Sequence, residues 1–217
     1  ISFALECLAW AHALPRLSMH VPPELCHDLI AQLVRVATDA PGISLAKSPL
    51  AHQWLSGELP LTLAHVVSEL HGPSVCPEAA GRSISDALME LTDGEGLLNA
   101  KHVIATRPLL ACWTRCIVIG GAVLDDGFMT EEAKSQYDWL VRQAMRLSRA
   151  DGSQILSQGT SGDWNPELFQ MALTLCNDPE DWDVAAVALP GGDPDSVDKS
   201  DLPNPEYHSE WAETSIL

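Results

Sequence analysis

Apolar residues recur along most of this chain at the three- and four-residue spacing that is typical of amphipathic helices. In the clearest run, from Glu24 to Ala40, leucine, isoleucine, valine and alanine share one face. Glu24 lies in the first turn, where the positive end of the helix dipole favours an acidic group. The same spacing predicts helices over 3–14, 24–40, 49–57, 60–71, 78–91, 108–124, 131–149, 166–176 and 179–187.

Proline and glycine mark most of the predicted boundaries. Pro15 should end the first helix, since it has no N–H for the helical hydrogen-bond ladder. Gly57 should end a short helix and Pro60 should begin another, so that the two form a helical hairpin. A side-chain oxygen just before a helix can accept a hydrogen bond from one of its free amides. On this basis the predicted N-caps are Ser48, Thr130, Asn165 and Asp178.

The segments between these helices are short, and only 153–157 has a strand-like or extended pattern. After Gly192 the chain is rich in aspartate and proline, which indicates a linker or an extended crossing strand. We therefore predict an all-α fold, either an incomplete α/α toroid or an irregular array of helical hairpins, with an extended acidic C-terminal tail. The predicted division is a helical domain over 1–192, truncated at its start because the first residue is Ile1, and an acidic Pro-rich linker over 193–217 that leads to a further domain.

Charge and hydropathy exclude several classes of partner. The formal net charge is -18, from 30 acidic and 12 basic residues, and no run of Lys or Arg offsets it. Such a chain repels a phosphate backbone, so we expect no nucleic-acid partner. The most apolar run, 109–124, is interrupted by Arg115 and by Gly120 with Gly121, which argues against membrane insertion. Arg115 should instead pair with a carboxylate or a backbone group.

Six cysteines lie along the chain, five of them within apolar helical patterns where a thiol behaves as a small hydrophobe. Cys112 and Cys116 share a helix face, yet no second Cys or His pair stands at ligand spacing. No phosphate-binding glycine loop, HExxH or CxxC pair is present either. We therefore expect core packing for the cysteines, and neither a metal nor a cofactor.

Four strings together resemble the N-terminal region of heparinase II/III-like proteins. They are SGELPLTLA at 56–64, RPLLACWTRC at 107–116, ADGS at 150–153 and SEWA at 209–212. The resemblance implies an incomplete helical toroid followed by a β-sandwich domain. It also implies a polysaccharide lyase that eliminates across uronic-acid units, an acidic polysaccharide as partner, and a secreted or periplasmic location. The sequence leaves the compartment and the oligomeric state open.

In lyases of this kind a Tyr or His removes the proton beside the uronate carboxylate, while Asn, Gln or Arg neutralises that carboxylate. The resemblance points to Asn99, His102 and Tyr137 as catalytic candidates and to Arg107 as a substrate-binding residue. Trp164, in a polar glycine-containing loop, is the aromatic residue that we expect to face a sugar.

Other interpretations stay open at this stage. Tyr137 falls on an apolar stripe, which is typical of a core tyrosine, and His102 can be a solvated loop histidine. The chain can then be a non-catalytic helical scaffold or a carbohydrate-binding module. An unrelated helical glycosidase needs two carboxylates across a cleft, for which Asp125, Asp126 and Asp163 are the candidates. Convergence of Asn99, His102 and Tyr137 on one groove would favour the lyase.

Overall fold

A computed structural model describes residues 1–67, 75–124, 128–156, 165–198, 200 and 202–216 of the chain. Regular structure in these residues is almost entirely helical, which confirms the predicted all-α class. The helices are α1 (Ser2–Leu17), α2 (Pro23–Asp39), α3 (Pro49–Gln53), α4 (Leu59–Val66), α5 (Pro77–Leu91), α6 (Thr106–Val123), α7 (Glu131–Arg146), α8 (Pro166–Cys176) and α9 (Pro179–Ala188). Short 3₁₀ turns cover Ala40–Gly42, Val103–Ala105 and Pro194–Ser196.

Three of the four predicted N-caps are confirmed by their hydrogen bonds, whereas Ser48 precedes α3 without a side-chain capping hydrogen bond. Thr130 Oγ1 accepts from the Ala133 amide at 3.2 Å, in the first turn of α7. Asn165 and Asp178 each accept from the amide two residues on, both at 2.9 Å, at the starts of α8 and α9. Each cap satisfies one amide that the helical ladder leaves without a partner. Local sequence therefore placed these helix starts correctly.

The predicted end of the first helix at Pro15 is wrong by less than one helical turn. Pro15 lies inside α1, which continues to Leu17 and ends where the Ser18 amide donates to Leu14 O at 2.9 Å. A proline costs the hydrogen bond of its own amide, and here that loss falls in the last turn of the helix.

The predicted hairpin between 49 and 71 is also wrong, because α3 and α4 are joined by one π-helical turn, Trp54–Glu58, rather than by a loop. Gly57 lies within this turn, and a Cβ built on it would be 3.0 Å from Ile84 Cγ1. Glycine therefore serves close packing against α5 here rather than a helix end. The wider π turn accommodates Pro60, whose ring would otherwise crowd the carbonyl four residues earlier. The predicted end at His71 and Gly72 lies outside the described residues.

The C-terminal segment forms a small antiparallel hairpin of β1 (Tyr207–Ser209) and β2 (Thr214–Ile216), with Tyr207 opposite Ile216. The amide of Ala100 donates to Ala212 O at 2.8 Å, and Ala212 itself is fully buried beside Leu97. Residues 207–216 are thus packed onto the helical part of the chain. The predicted extended piece at 153–157 has only one bridge, between Ser148 and Gln154, among its described residues.

The chain forms two compact units, which do not coincide with a simple division in sequence. Unit 1 comprises 1–87 and 115–133, and unit 2 comprises 88–114 and 134–217. The core of unit 1 includes Leu55, Leu59, Leu61, Leu63 and Ile84, whereas that of unit 2 includes Leu97, Leu109, Trp113, Tyr137 and Leu140. Cys7, Cys26, Cys112 and Cys116 are buried, and Cys76 and Cys176 are partly buried.

One helical segment of the described chain, Val103–Val123, is long and apolar enough to cross a membrane. Of its most apolar window, 56% is buried inside the protein, as in the core helix of a soluble protein. Length and composition alone are weak grounds for a membrane span.

Candidate functional site

Tyr137 is a core residue of unit 2, with 1% of its surface exposed. Its hydroxyl lies 2.8 Å from Thr114 Oγ1, which itself donates to Leu110 O at 2.7 Å. Because the threonine proton is used in that way, the phenol donates and the threonine accepts. Burial raises the pKa of Tyr137 well above its ordinary value. A protonated, enclosed phenol is suited to packing rather than to removing a proton from a polymer.

His102 is buried at the start of the 3₁₀ turn that precedes α6. Its Nε2 has no hydrogen-bond partner among the described groups. Burial, with a smaller contribution from Lys101, lowers the pKa of this imidazole. The ring is therefore neutral, as a base must be, but it is enclosed rather than open to a polysaccharide.

Asn99 connects its own turn to the C-terminal hairpin. Its Nδ2 donates to Trp211 O at 2.9 Å, and its Oδ1 accepts from the Lys101 amide at 3.3 Å. The His102 amide donates to Asn99 O at 2.7 Å, so these two candidates share one backbone turn. The side-chain amide of Asn99 is engaged with the backbone of unit 2.

Arg107 holds together three parts of unit 2. Its Nη1 donates to Gly152 O at 2.7 Å and its Nη2 donates to Ser148 Oγ at 2.9 Å. The guanidinium carbon lies 5.7 Å from the ring centre of Phe169 on α8. Burial lowers the pKa of Arg107. These contacts occupy guanidinium N–H donors that would otherwise bind a uronate carboxylate.

The fold thus brings only some of the site residues predicted from the sequence close to one another. Asn99 and His102 share a turn, whereas the side chains of Tyr137 and Arg107 have separate partners. Trp164, the expected sugar-facing aromatic, lies outside the described residues, as do Asp125, Asp126 and Asp163. Among the helical tryptophans, Trp113 is fully buried and Trp54 nearly so.

A different set of side chains lines an open cavity of about 380 Å³ in unit 2. Helix α7 contributes Ser135, Asp138, Trp139 and Arg142, and the start of α9 contributes Asp178, Glu180 and Asp181. Trp139 is 37% exposed. Positions 135, 138, 139 and 142 fall on the same side of a helix because they are separated by three or four residues. We call this cavity the Trp139 pocket.

Arg142 is the charged centre of the Trp139 pocket. Its Nε donates to Asp181 Oδ1 at 2.5 Å, its Nη2 donates to Asp178 Oδ2 at 3.2 Å, and Glu180 lies 3.6 Å away. The guanidinium carbon is 4.9 Å from the centre of the Trp139 ring. This cation–π contact and the ion pairs hold both side chains in one geometry.

Two carboxylates of the Trp139 pocket, those of Asp138 and Asp181, are partly removed from water. Burial raises the pKa of Asp138, against a smaller lowering by its hydrogen bond with Cys176, and one Asp138 oxygen is buried without a partner in the described structure. Burial also raises the pKa of Asp181, against the opposing effect of Arg142. Such oxygens accept hydrogen bonds from hydroxyl or ammonium groups, and they repel an added carboxylate.

Comparisons with protein-family models, with curated proteins and with solved structures found no match to this chain. Within the residues that the structure describes, no group of three or more His, Cys, Asp or Glu side chains is arranged to hold a metal ion.

The Trp139 pocket was missed at the sequence level, although one signal for it exists. Trp139 stands off the apolar stripe that Tyr137 and Leu140 define, so a large aromatic lies on a polar helix face. From the sequence, Asp178 was identified only as a cap and Arg142 was not singled out. Their pairing across 36 residues depends on the packing of α9 against α7 and is not visible as a local pattern.

Proposed function

We propose that this chain is the helical region of a heparinase II/III-like polysaccharide lyase, folded as an incomplete α/α toroid, and that it binds carbohydrate at the Trp139 pocket. The four strings that resemble the family and the all-α architecture support the first part. A half-exposed tryptophan beside charged planar side chains in one concave site is the observation that carries the second.

The composition of the pocket favours a particular part of the polymer. The apolar C–H face of a sugar ring stacks on an indole, and its hydroxyls donate to carboxylates. Four acidic side chains line the pocket, and three of them lie within ion-pair distance of Arg142, so a uronate carboxylate is disfavoured there. The pocket therefore suits a neutral or amino sugar unit of a uronate-containing polysaccharide, which reconciles a chain of net charge -18 with such a substrate.

Oligosaccharide binding tests the pocket directly. We expect neutral or amino-sugar hexamers to bind the wild-type protein in calorimetric titrations, and Trp139→Ala to weaken binding by about tenfold, the value of one aromatic contact. Trp182→Ala is the matched control, because Trp182 is 41% exposed on α9 and does not line the pocket. Equal losses in both variants, or no binding of either sugar class, would rule the pocket out.

An elimination assay tests the lyase separately, by following the absorbance of the unsaturated uronate product across a panel of acidic polysaccharides. Loss of a general base lowers rates by about 10²–10⁴-fold. We expect Tyr137→Phe and His102→Ala to lose no more than about threefold in activity, because both side chains are enclosed. This loss is far smaller than the loss that removal of a general base would cause. A hundredfold loss in folded Tyr137→Phe would instead identify this phenol as the base. Sugar binding without elimination on any polymer would favour a non-catalytic carbohydrate-binding module.

A further inference from the structure

A second cavity of unit 2, of about 480 Å³, differs in chemistry from the Trp139 pocket. Its walls come from the end of α7, from α9 and from residues 202–205. The apolar side chains that line it are Met145, Val184, Val187, Ala188, Leu202, Pro203 and Pro205. A cavity of this size is within the range of small-molecule sites, and this lining offers little to a polyhydroxylated sugar.

Arg146 supplies a cationic group to this apolar cavity. Its Nη1 donates to Gln143 Oε1 at 3.3 Å and its Nη2 donates to Asn204 O at 2.9 Å. Its guanidinium carbon lies 5.5 Å from the Tyr207 ring centre, so neutral groups hold the side chain in place. Arg146 has no carboxylate within ion-pair distance in the described structure, whereas Arg142, which also lines the cavity, is paired with Asp181.

A partly buried guanidinium with no carboxylate at ion-pair distance is costly, and it retains donors for an anion. Arginine carries five N–H groups, of which the two contacts above use two. Burial, and to a smaller extent the neighbouring Arg142, lowers the pKa of Arg146, against smaller opposing effects of Glu95, Tyr207 and Asp181. One available cation in an otherwise apolar cavity is complementary to one anionic group on an apolar body.

We propose that this cavity binds a small apolar monocarboxylate, with its carboxylate on Arg146 and its hydrocarbon part between α9 and residues 202–205. The proposal does not depend on the proposed carbohydrate function, because site, chemistry and ligand all differ. A multiply charged anion is disfavoured, since Arg142 is already neutralised by its acidic partners.

Calorimetric titration with octanoate and, separately, with 1-octanol tests the proposal. We expect octanoate to bind the wild-type protein, and 1-octanol to bind it more weakly. Arg146→Gln should weaken the binding of octanoate by at least tenfold and leave the binding of 1-octanol unchanged. Arg149→Gln is the matched control, because it removes the same charge from an exposed side chain that does not line the cavity. Val187→Trp should fill the cavity and abolish the binding of both ligands.

Retained binding of 1-octanol shows that the cavity of Arg146→Gln is intact, so a loss of octanoate alone reports the lost cation. The proposal is overturned if octanoate does not bind the wild-type protein, if Arg149→Gln weakens it as much as Arg146→Gln, or if Val187→Trp still binds it. Circular dichroism of each variant confirms that the helices are formed.

Discussion

Glu58 is a carboxylate with 1% of its side chain exposed, and a single guanidinium neutralises it. Arg115 Nε and Nη2 donate to its two oxygens at 2.5 and 2.9 Å, while 46% of the arginine side chain remains exposed. Removal of Arg115 would therefore leave a buried charge, whereas removal of Glu58 would leave a half-exposed one. A buried charge without its partner costs several kcal/mol, whereas a half-exposed one can be hydrated.

The first prediction follows from that asymmetry. Arg115→Met is expected to lower the free energy of unfolding by about 3 kcal/mol, because it leaves a buried carboxylate. Glu58→Gln is expected to cost only about 1–2 kcal/mol, because an acceptor remains and Arg115 reaches water. Urea denaturation of both variants measures the difference, and equal costs would contradict it.

The second prediction concerns His102 and pH. Burial lowers the pKa of this imidazole, so the unfolded chain binds a proton that the folded chain does not as pH falls below about 6.5. Stability from this site is present above that pH and is lost as pH falls towards the lowered pKa. His102→Leu should therefore flatten the acid side of the stability profile.

Thermal unfolding of wild type and His102→Leu between pH 5 and pH 8 checks this prediction. At pH 8 the imidazole is neutral in both the folded and the unfolded chain, so that comparison measures packing alone. As pH falls, the stability of His102→Leu should rise relative to that of wild type. If the stability difference between the two proteins does not change with pH, His102 does not contribute to the acid loss.

At the scale of elements, glycines of α5 and α6 let both helices lie close to Phe128, a residue of unit 1 between α6 and α7. A Cβ built on Gly81 would be 2.1 Å from Phe128 O, and one built on Gly120 would be 2.4 Å from the Phe128 ring. A Cβ on the adjacent Gly121 would meet nothing within 4 Å. The paired glycines of α6 therefore have different roles, although they looked equivalent as a helix interruption in the sequence.

The third prediction uses this pair as its own control. Gly120→Ala should destabilise the protein by about 1–3 kcal/mol through overpacking against Phe128. Gly121→Ala should stabilise it by about 0.4–1 kcal/mol, because alanine restricts the unfolded chain and fits a helix. Chemical denaturation measures both. In a Phe128→Ala background the cost of Gly120→Ala should largely disappear, and a full additive cost there would contradict the packing argument.

At the scale of the whole molecule, the C-terminal hairpin is part of unit 2 rather than a free tail. Ala212 is buried in a cluster with Leu97, Val103 and Leu147, and Tyr207 and Ile216 pack against that cluster. The Tyr207 hydroxyl donates to Asp93 Oδ2 at 2.8 Å, and burial next to that carboxylate raises the pKa of Tyr207. A segment of low local hydropathy is thus held by a few apolar contacts and long-range hydrogen bonds.

The fourth prediction tests this attachment. Ala212→Glu places a charge in the cluster and should release the hairpin, because an unpaired buried charge is costly. We expect amide protection in residues 207–216 to fall by about 100-fold in hydrogen-exchange measurements, since local opening then replaces docking. Glu210→Ala, an exposed position in the same turn, is the control. Unchanged protection in Ala212→Glu would show that other contacts hold the hairpin.

Local sequence by itself determined the fold class, most helix limits and three of the four predicted N-caps. These features depend on the 3.6-residue period and on amides within three residues of a cap, so they are present in any short window of the chain. The tertiary structure decided the rest. Whether Gly57 ends a helix depends on Ile84, and whether Tyr137 can react depends on its burial in the core of unit 2. The Trp139 pocket and the charge state of its carboxylates likewise require α9 to lie beside α7, because desolvation and ion pairing arise only between residues that folding brings together.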